Sequence, residues 1–229
     1  MGAPLVLVSS MATRSILAET LTACRAATGI AVELHAMGGV DAAAYVRDGR
    51  PADLVLLAAG AIDRLAAEGI VDSGTVTPVA RSAIAVAIPA GTHRPDLSGV
   101  EAVKAAMLAA RAVCYSTGPS GDHLKALWQA WGIAEAMAAR AIQAPPGVPV
   151  ARIIAEGQAD FGIQQVSELI GQPGIDIITP LPDAVQLVTV FTGAMAAAAQ
   201  DKARASAVLA FLASQASAGI IRRHGMEPA

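Results

Sequence analysis

The chain has 229 residues, of which 54% are hydrophobic and 15% charged, and its formal net charge at pH 7 is −3. This composition excludes a disordered chain and is typical of helices packed tightly against sheets. Because the sequence contains no run of Lys or Arg, it offers no basic surface for nucleic acid, and we expect a small-molecule partner.

Short apolar runs alternate with longer helical patterns along the chain, which predicts mostly parallel sheets covered by helices, an α/β fold. Gly29 follows the first helical pattern and is a natural C-terminal cap. The predicted strands are Leu5–Val8, Ile30–His35, Asp53–Ala58, Ala83–Pro89, Ala112–Tyr115, Phe161–Gln164, Ile175–Thr179 and Val185–Phe191. The predicted helices are Ala12–Thr28, Asp41–Asp48, Ala61–Glu68, Gly99–Ala110, Gly121–Trp131, Val150–Glu156 and Lys202–Arg223.

The N-terminal residues lack the basic segment and the long apolar segment of a secretory signal. We therefore expect a cytoplasmic protein if Met1 is the native start, and a periplasmic one if a signal peptide has been removed. Two uncharged stretches, Ala184–Gln200 and Ala205–Ile221, are interrupted by polar residues and are short for a bilayer span, so we expect no membrane insertion.

The cysteines and histidines do not stand at metal-ligand spacings, and no nucleotide or dinucleotide fingerprint is present, so we expect neither a metal nor a cofactor. Cys24 and Cys114 are the only cysteines. Two buried free thiols are the simpler interpretation, but the sequence leaves open whether they pair.

Polar residues follow the first two predicted strands. In open α/β sheets, ligands lie beyond the carboxyl ends of strands, where loops lead into helix N-termini with free N–H groups. Ser9, Ser10 and Met11 occupy the first such loop, and Gly38 and Gly39 the second. Both suit an anion such as a carboxylate, although a plain N-cap and a tight turn use the same residue types.

Two later loops carry further candidates. Ser116, Ser120 and Gly121 belong to a glycine-rich loop, residues 115–123, that has the order of an anion cradle but lacks the Lys of a nucleotide-binding loop. A simple capped turn is the alternative. Gln164 and Gln165 are expected to be exposed at a strand end, where two neutral amides can orient a polar ligand.

One cation and one histidine complete the set of candidate ligand-binding and catalytic residues. Arg81 lies inside an otherwise apolar segment, where a guanidinium favours a bidentate carboxylate partner; a structural salt bridge is the alternative. His123 is the only histidine that shares a loop with other candidates, so we assign it as the candidate catalytic proton-transfer group. Trp128 and Trp131 share one helical pattern and are predicted to be core residues.

Several local motifs occur in the order found in one protein family. They are the Ser9-Ser10 loop, Ala27-Thr28-Gly29-Ile30, Gly49-Arg50-Pro51-Ala52-Asp53-Leu54, Gly157-Gln158-Ala159-Asp160-Phe161-Gly162-Ile163 and Ala210-Phe211-Leu212-Ala213-Ser214. On these motifs the chain resembles the molybdate-type periplasmic solute-binding proteins across nearly its whole length.

This resemblance implies the two-lobed type II periplasmic-binding-protein fold. Each lobe is then a doubly wound, mostly parallel sheet flanked by helices, with a ligand cleft between the lobes. We place lobe 1 at residues 1–81 plus 183–229 and lobe 2 at residues 82–182. An ABC permease is the implied protein partner if the chain is exported.

Departures from the family pattern bear on the ligand. Met11 stands where the molybdate sites have a serine, Gly38-Gly39-Val40 replaces a serine-rich loop, and Gln165 stands where a tyrosine is usual. With Arg81 available, these changes favour a di- or tricarboxylate over molybdate.

Three classes of function remain open. Solute binding is the leading interpretation, an isomerase is the second, and an intracellular ligand sensor is the third. The isomerase would be similar to the aconitate isomerases of this fold group. It would move a double bond by proton transfer, with His123 as the candidate base.

Overall fold

A computed structural model describes residues 2–229, and these residues divide into two compact units. Unit 1 comprises residues 2–82 and 189–229, and unit 2 comprises residues 83–188. The chain leaves unit 1 after Ser82 and returns to it after Val188, compared with the predicted positions 81 and 182.

The elements alternate between strand and helix as the sequence pattern indicates. The strands are β1 (Leu5–Ser10), β2 (Val32–Met37), β3 (Leu54–Ala58), β4 (Thr77–Pro89), β5 (Val113–Tyr115), β6 (Ala141–Gln143), β7 (Phe161–Gln165), β8 (Ile175–Ile178), β9 (Val188–Met195) and β10 (Glu227–Pro228). The helices are α1 (Arg14–Thr28), α2 (Gly39–Arg47), α3 (Ala59–Ala67), α4 (Val100–Ala109), α5 (Pro119–Ala130), α6 (Ala134–Ala138), α7 (Val150–Ala155), α8 (Val166–Leu169), α9 (Lys202–Leu212) and α10 (Gln215–Arg223). Met11–Thr13 and Ser73–Thr75 form single 3-10 turns.

Unit 1 is built on a sheet in which β2, β1 and β3 run parallel and β9 lies antiparallel beside β3. Because side chains alternate along a strand, the side chains of β1 and β3 pack into two cores, one on each face of the sheet. Leu7 and Leu56 pack in the core that α1, α9 and α10 cover, while Val8 and Leu57 pack in the core that α2 and α3 cover. Helices therefore cover both faces, as a doubly wound sheet requires.

Unit 2 has the strand order β6-β5-β7-β4-β8, with β6, β5 and β7 parallel and β4 antiparallel to both β7 and β8. Phe161 and Ile163 face the core that contains Trp128 of α5, which confirms the predicted burial of this tryptophan. The other face of β7 meets α7 closely: a Cβ on Gly162 would lie 2.5 Å from Val150 Cγ1. Only glycine allows this approach.

The prediction of one helix over Lys202–Arg223 is wrong, because the chain breaks after Leu212. Ser214 Oγ and Ser217 Oγ each donate to the Phe211 carbonyl oxygen at 2.7 Å, and this carbonyl also accepts the Ser214 N–H. The serines thus end α9 and begin α10 at a bend of 57°. No single helix in residues 2–229 is long and apolar enough to cross a membrane; this bent pair passes by length and composition only.

The strand predicted at Val185–Phe191 begins later and ends later, at Val188–Met195. Residues before it form a turn instead, since the N–H groups of Val185 and Gln186 both donate to the Pro182 carbonyl oxygen. Strand β4 begins six residues before its predicted start, at Thr77, and its early part pairs with β10. The elements α6, β6, α8 and β10 were not predicted.

The two cysteines are both buried and free. Cys24 lies on α1 in unit 1 and Cys114 on β5 in unit 2. This answers the question that the sequence left open, because no disulfide joins them.

Candidate functional site

The first two predicted loops meet at the carboxyl edge of the sheet in unit 1. β1 and β2 are parallel, with Ser10 opposite Met37, and a Cβ on Gly39 would lie 3.9 Å from the Ser10 Cβ. Ser9 and Ser10 end β1 as buried residues, and Met11 begins the 3-10 turn and is partly exposed. Gly38 is the N-cap of α2, and Gly39 is its first residue. The structure therefore brings these five residues together.

Hydroxyls at this edge of unit 1 form a small network in which Thr13 joins the two serines. Thr13 is fully buried; its Oγ1 donates to the Ser10 carbonyl oxygen at 3.1 Å and lies 3.5 Å from Ser10 Oγ. Ser9 Oγ donates to the same carbonyl at 3.4 Å. Because the single Thr13 hydroxyl hydrogen goes to the carbonyl, Ser10 Oγ is the donor in its contact with Thr13 Oγ1, and its lone pairs remain as acceptors.

Arg81 lies on β4 opposite Glu227 of β10, and its side chain is exposed. Its Nη2 donates to the Pro228 carbonyl oxygen at 3.2 Å, so one of its five N–H groups holds the C-terminal segment. The apolar surroundings in the sequence are explained by strand alternation, because Ala80 and Ser82 point to the buried side. Among residues 2–229, no other acceptor is found for the remaining guanidinium N–H groups, which suits them to a carboxylate.

In unit 2, the glycine-rich loop is shorter than predicted, because α5 already begins at Pro119. Ser116 Oγ lies 2.9 Å from Ser120 Oγ, which ties the end of β5 to the first turn of α5. Gly121 allows this closeness, since a Cβ at that position would lie 1.8 Å from the Ser116 carbonyl oxygen. Ser120 and Gly121 are buried helix residues that bring the helix start onto the strand end.

The expectation that Gln164 and Gln165 are exposed is wrong, since each keeps only 2% of its surface accessible. The reason is the place of β7, which lies between β5 and β4 and is covered by helices. Gln164 Oε1 accepts the Val150 N–H at the start of α7, at 3.0 Å. Gln165 lies opposite Ile84 of β4. The two amides are therefore built into the protein interior, and Gln164 joins β7 to α7.

His123 lies in the second turn of α5, not in a loop, and is partly buried. Its Nε2 is 2.8 Å from the Val185 carbonyl oxygen. A carbonyl oxygen only accepts hydrogen bonds, so Nε2 carries the hydrogen and the lone pair of the neutral ring is on Nδ1. The ring is held in one orientation with a basic nitrogen on its other side.

Sequence reasoning missed Glu168, which lies on α8 three residues after β7 ends. Part of its surface remains exposed, yet desolvation raises the pKa of its carboxyl to about 7, while a hydrogen bond from Gln164 acts in the opposite direction. A single acidic residue between Val166 and Leu169 was the available signal. It points to proton transfer because a carboxyl with this pKa exchanges its proton near neutral pH.

No three His, Cys, Asp or Glu side chains in residues 2–229 converge as ligands of one metal ion. The side chains at the strand ends are instead hydroxyls, amides, one histidine and one carboxyl. Hydroxyls, amides and helix N-termini suit an oxyanion or carboxylate, and a histidine and a carboxyl are each suited to proton transfer.

One curated relative matches nearly the whole chain. An aconitate isomerase from Pseudomonas sp. is 35% identical over 230 residues, which cover 98% of this chain and 87% of the relative. The match therefore includes both units.

Solved structures share the fold at lower identity. The periplasmic molybdate-binding protein of Azotobacter vinelandii superposes with a TM-score of 0.81 at 19% identity, covering 97% of this chain and 98% of that one. The sulfate-binding protein of Mycobacterium tuberculosis gives a TM-score of 0.78 at 19% identity, covering 100% and 88%. The type II periplasmic-binding-protein fold is thereby confirmed. Because the family profile described as bacterial extracellular solute-binding protein also matches residues 5–227, the chain belongs to that solute-binding family.

Proposed function

We propose that this chain binds a small di- or tricarboxylate and moves a carbon–carbon double bond within it by proton transfer. The observation that carries the proposal is the 35% identity to an aconitate isomerase over 98% of the chain. A relationship of this extent covers the strand ends of both units, which hold the candidate polar residues.

Moving a double bond beside a carboxylate requires removing a proton from one carbon and adding one to another. The intermediate carbanion is delocalised onto the carboxylate oxygens, so donors near those oxygens lower the barrier. In this proposal, Ser10, the amides at the start of α2 and the Arg81 guanidinium bind carboxylate groups of the ligand.

His123 is the proposed group that removes the proton. The Val185 carbonyl oxygen orients the ring through Nε2–H, which leaves Nδ1 as the acceptor. An imidazole held in one orientation by its Nε2–H, with Nδ1 as the acceptor, has the geometry of a general base.

Solute binding without chemistry is the second candidate, and the family match over residues 5–227 favours it. In that case the chain delivers an organic anion to an ABC permease, which requires export. The ligand is still an organic carboxylate and not molybdate, because Met11, Gly38-Gly39 and Gln165 replace the hydroxyl-bearing residues usual in molybdate sites.

One experiment separates the candidates. Thermal unfolding is measured with cis-aconitate, trans-aconitate, citrate, sulfate and molybdate, since a ligand that binds the native state raises the melting temperature by mass action. Each stabilising compound is then incubated with the protein in D₂O and followed by proton NMR. Conversion between the aconitate isomers supports the isomerase, and stabilisation without conversion supports binding alone. Stabilisation by molybdate and by no carboxylate contradicts both.

A further inference from the structure

Glu168 belongs to a hydrogen-bonded chain at the carboxyl edge of the unit 2 sheet. Gln164, the penultimate residue of β7, accepts the Val150 N–H through Oε1, which leaves its NH₂ group to interact with the Glu168 carboxyl. Gln164 is buried and fixed at both ends, so it holds the carboxyl in place. The chain therefore ends in a single titratable group.

No cation neutralises this carboxyl among the described elements that pack against α8. Arg152, the charged residue of α7, is exposed and pairs with Glu156 at 2.7 Å. β7 carries no charged residue, and Asp176 of nearby β8 accepts the Gly91 N–H at 3.0 Å. Desolvation consequently dominates and raises the pKa of Glu168 to about 7, so both protonation states are populated at neutral pH.

The neighbouring strand end carries the other candidate groups of unit 2. β5 runs parallel to β7 with Tyr115 opposite Ile163, so Ser116 and the start of α5 lie at the same edge as Gln164. α5 and α7 pack on opposite faces of this sheet, as their separate cores show. α5, which carries His123, and α8, which carries Glu168, therefore lie on different faces of this sheet.

We propose that Glu168 is a catalytic residue of the double-bond migration, donating its carboxyl proton to the carbon where the new C–H bond forms, and that Gln164 is its positioning residue. This inference rests on the proposed isomerase function.

His123 Nδ1 takes a proton from the carbon beside the double bond, and the electron pair of that C–H bond forms the new double bond. The electron pair of the old double bond takes the Glu168 proton. Proton exchange with water then returns His123 to its neutral form and Glu168 to its protonated form. In the reverse direction the ionised Glu168 carboxylate removes the proton and the protonated His123 donates one.

The first test uses Glu168→Gln, which keeps the shape and the hydrogen-bonding capacity but cannot donate an acidic proton. We expect unchanged stabilisation by trans-aconitate and a loss of isomerisation of about 100-fold or more. Deuterium exchange into the starting isomer should persist within about tenfold of the wild type, because His123 still removes the proton. Glu156→Gln is the matched control and should leave both rates unchanged, because Glu156 is an exposed carboxylate at the C-cap of the adjoining helix α7.

The second test uses Gln164→Leu and reads the pH profile of kcat/KM. The Gln164 hydrogen bond lowers the pKa of Glu168, so its removal should move the ionisation near pH 7 to higher pH. This shift distinguishes positioning from a purely structural role, which would lower the rate at every pH alike.

Three outcomes would overturn the inference. If Glu168→Gln isomerises within threefold of the wild type, Glu168 is not the donor, although the isomerase function stands. If the variant loses exchange and isomerisation equally, the donor role is wrong. If the wild-type protein isomerises neither aconitate isomer, the proposed function and this inference fall together.

Discussion

At the residue scale, the ionisation of Glu168 links stability to pH. Its carboxyl ionises near pH 4.5 in the unfolded chain and near pH 7 in the folded protein. A raised folded-state pKa means that stability present below about pH 4.5 is lost as the pH rises through 7. The Glu168→Gln side chain stays neutral at every pH. We therefore expect its free energy of unfolding at pH 8 to exceed that of the wild type by between about 1 and 3 kcal/mol. The difference should vanish near pH 4.5. Urea unfolding at several pH values measures this.

Glu156→Gln again serves as the control for the stability experiment. Arg152 lowers the pKa of Glu156, so removing that charge should give no gain in stability at pH 8. A wild-type stability that is flat between pH 5 and pH 8 would show that the Glu168 carboxyl is not desolvated.

Arg81 gives a second prediction at this scale. We expect Arg81→Ala to abolish tight carboxylate binding, measured by calorimetry, because it removes a cation with free N–H groups. The free energy of unfolding should change by less than about 1 kcal/mol, since the side chain is exposed and makes one hydrogen bond to Pro228. Arg222→Ala is the matched control, an exposed arginine that pairs with Glu227 on the same C-terminal segment. Equal affinity in wild type and Arg81→Ala would contradict the role of Arg81 in carboxylate binding.

At the scale of elements, similar loops begin β3 and β7. The Asp53 carboxylate accepts the Val6 N–H of β1 at 2.8 Å, and the Asp160 carboxylate accepts the N–H groups of Arg111 and Ala112 before β5 at 3.0 Å. Each aspartate ties the start of its strand to the parallel neighbour. Two motifs on which the family resemblance rests are therefore structural and lie at the strand beginnings, away from the carboxyl ends.

The junction between β5 and α5 depends on Gly121. Because a Cβ there would lie 1.8 Å from a backbone oxygen, Gly121→Ala must push α5 off the strand end. We expect a loss of about 3 kcal/mol in the free energy of unfolding, at the upper end for overpacking, measured by chemical denaturation. Gly99→Ala at the N-cap of α4 is the control, since no atom lies within 4 Å of its Cβ position. A Gly121→Ala variant as stable as this control would contradict the close contact.

At the scale of the whole molecule, the two thiols report on folding. Cys24 and Cys114 are buried in different units, and burial raises the pKa of Cys114 to about 11. We expect both thiols to resist a disulfide reagent in the native protein and to react on unfolding, because the thiolate is the reactive form. A reductant should leave the melting temperature unchanged. Rapid reaction of either thiol without denaturant would contradict the burial.

Much of the fold was predictable because local patterns and packing agree. The apolar alternation in β1 and β3 places successive residues in two cores, and Gly29 ends α1 in the left-handed conformation with φ 74°. The errors arose where side chains compete for backbone groups. Ser214 and Ser217 break the last helical pattern by bonding the Phe211 carbonyl, which an apolar periodicity does not reveal.

The sequence by itself determined the fold class, the approximate strand ends and the loops that hold serines, glycines and glutamines, because periodicity and turn residues act locally. The tertiary structure alone decided what those residues contact. It buried Gln164 against Val150 and oriented His123 on Val185, two contacts between segments that are separate in the sequence. It also left Glu168 without a cation among the described residues. Hydrogen-bond partners and desolvation depend on every element packed around a group, so only the folded chain determines the proton chemistry of this edge.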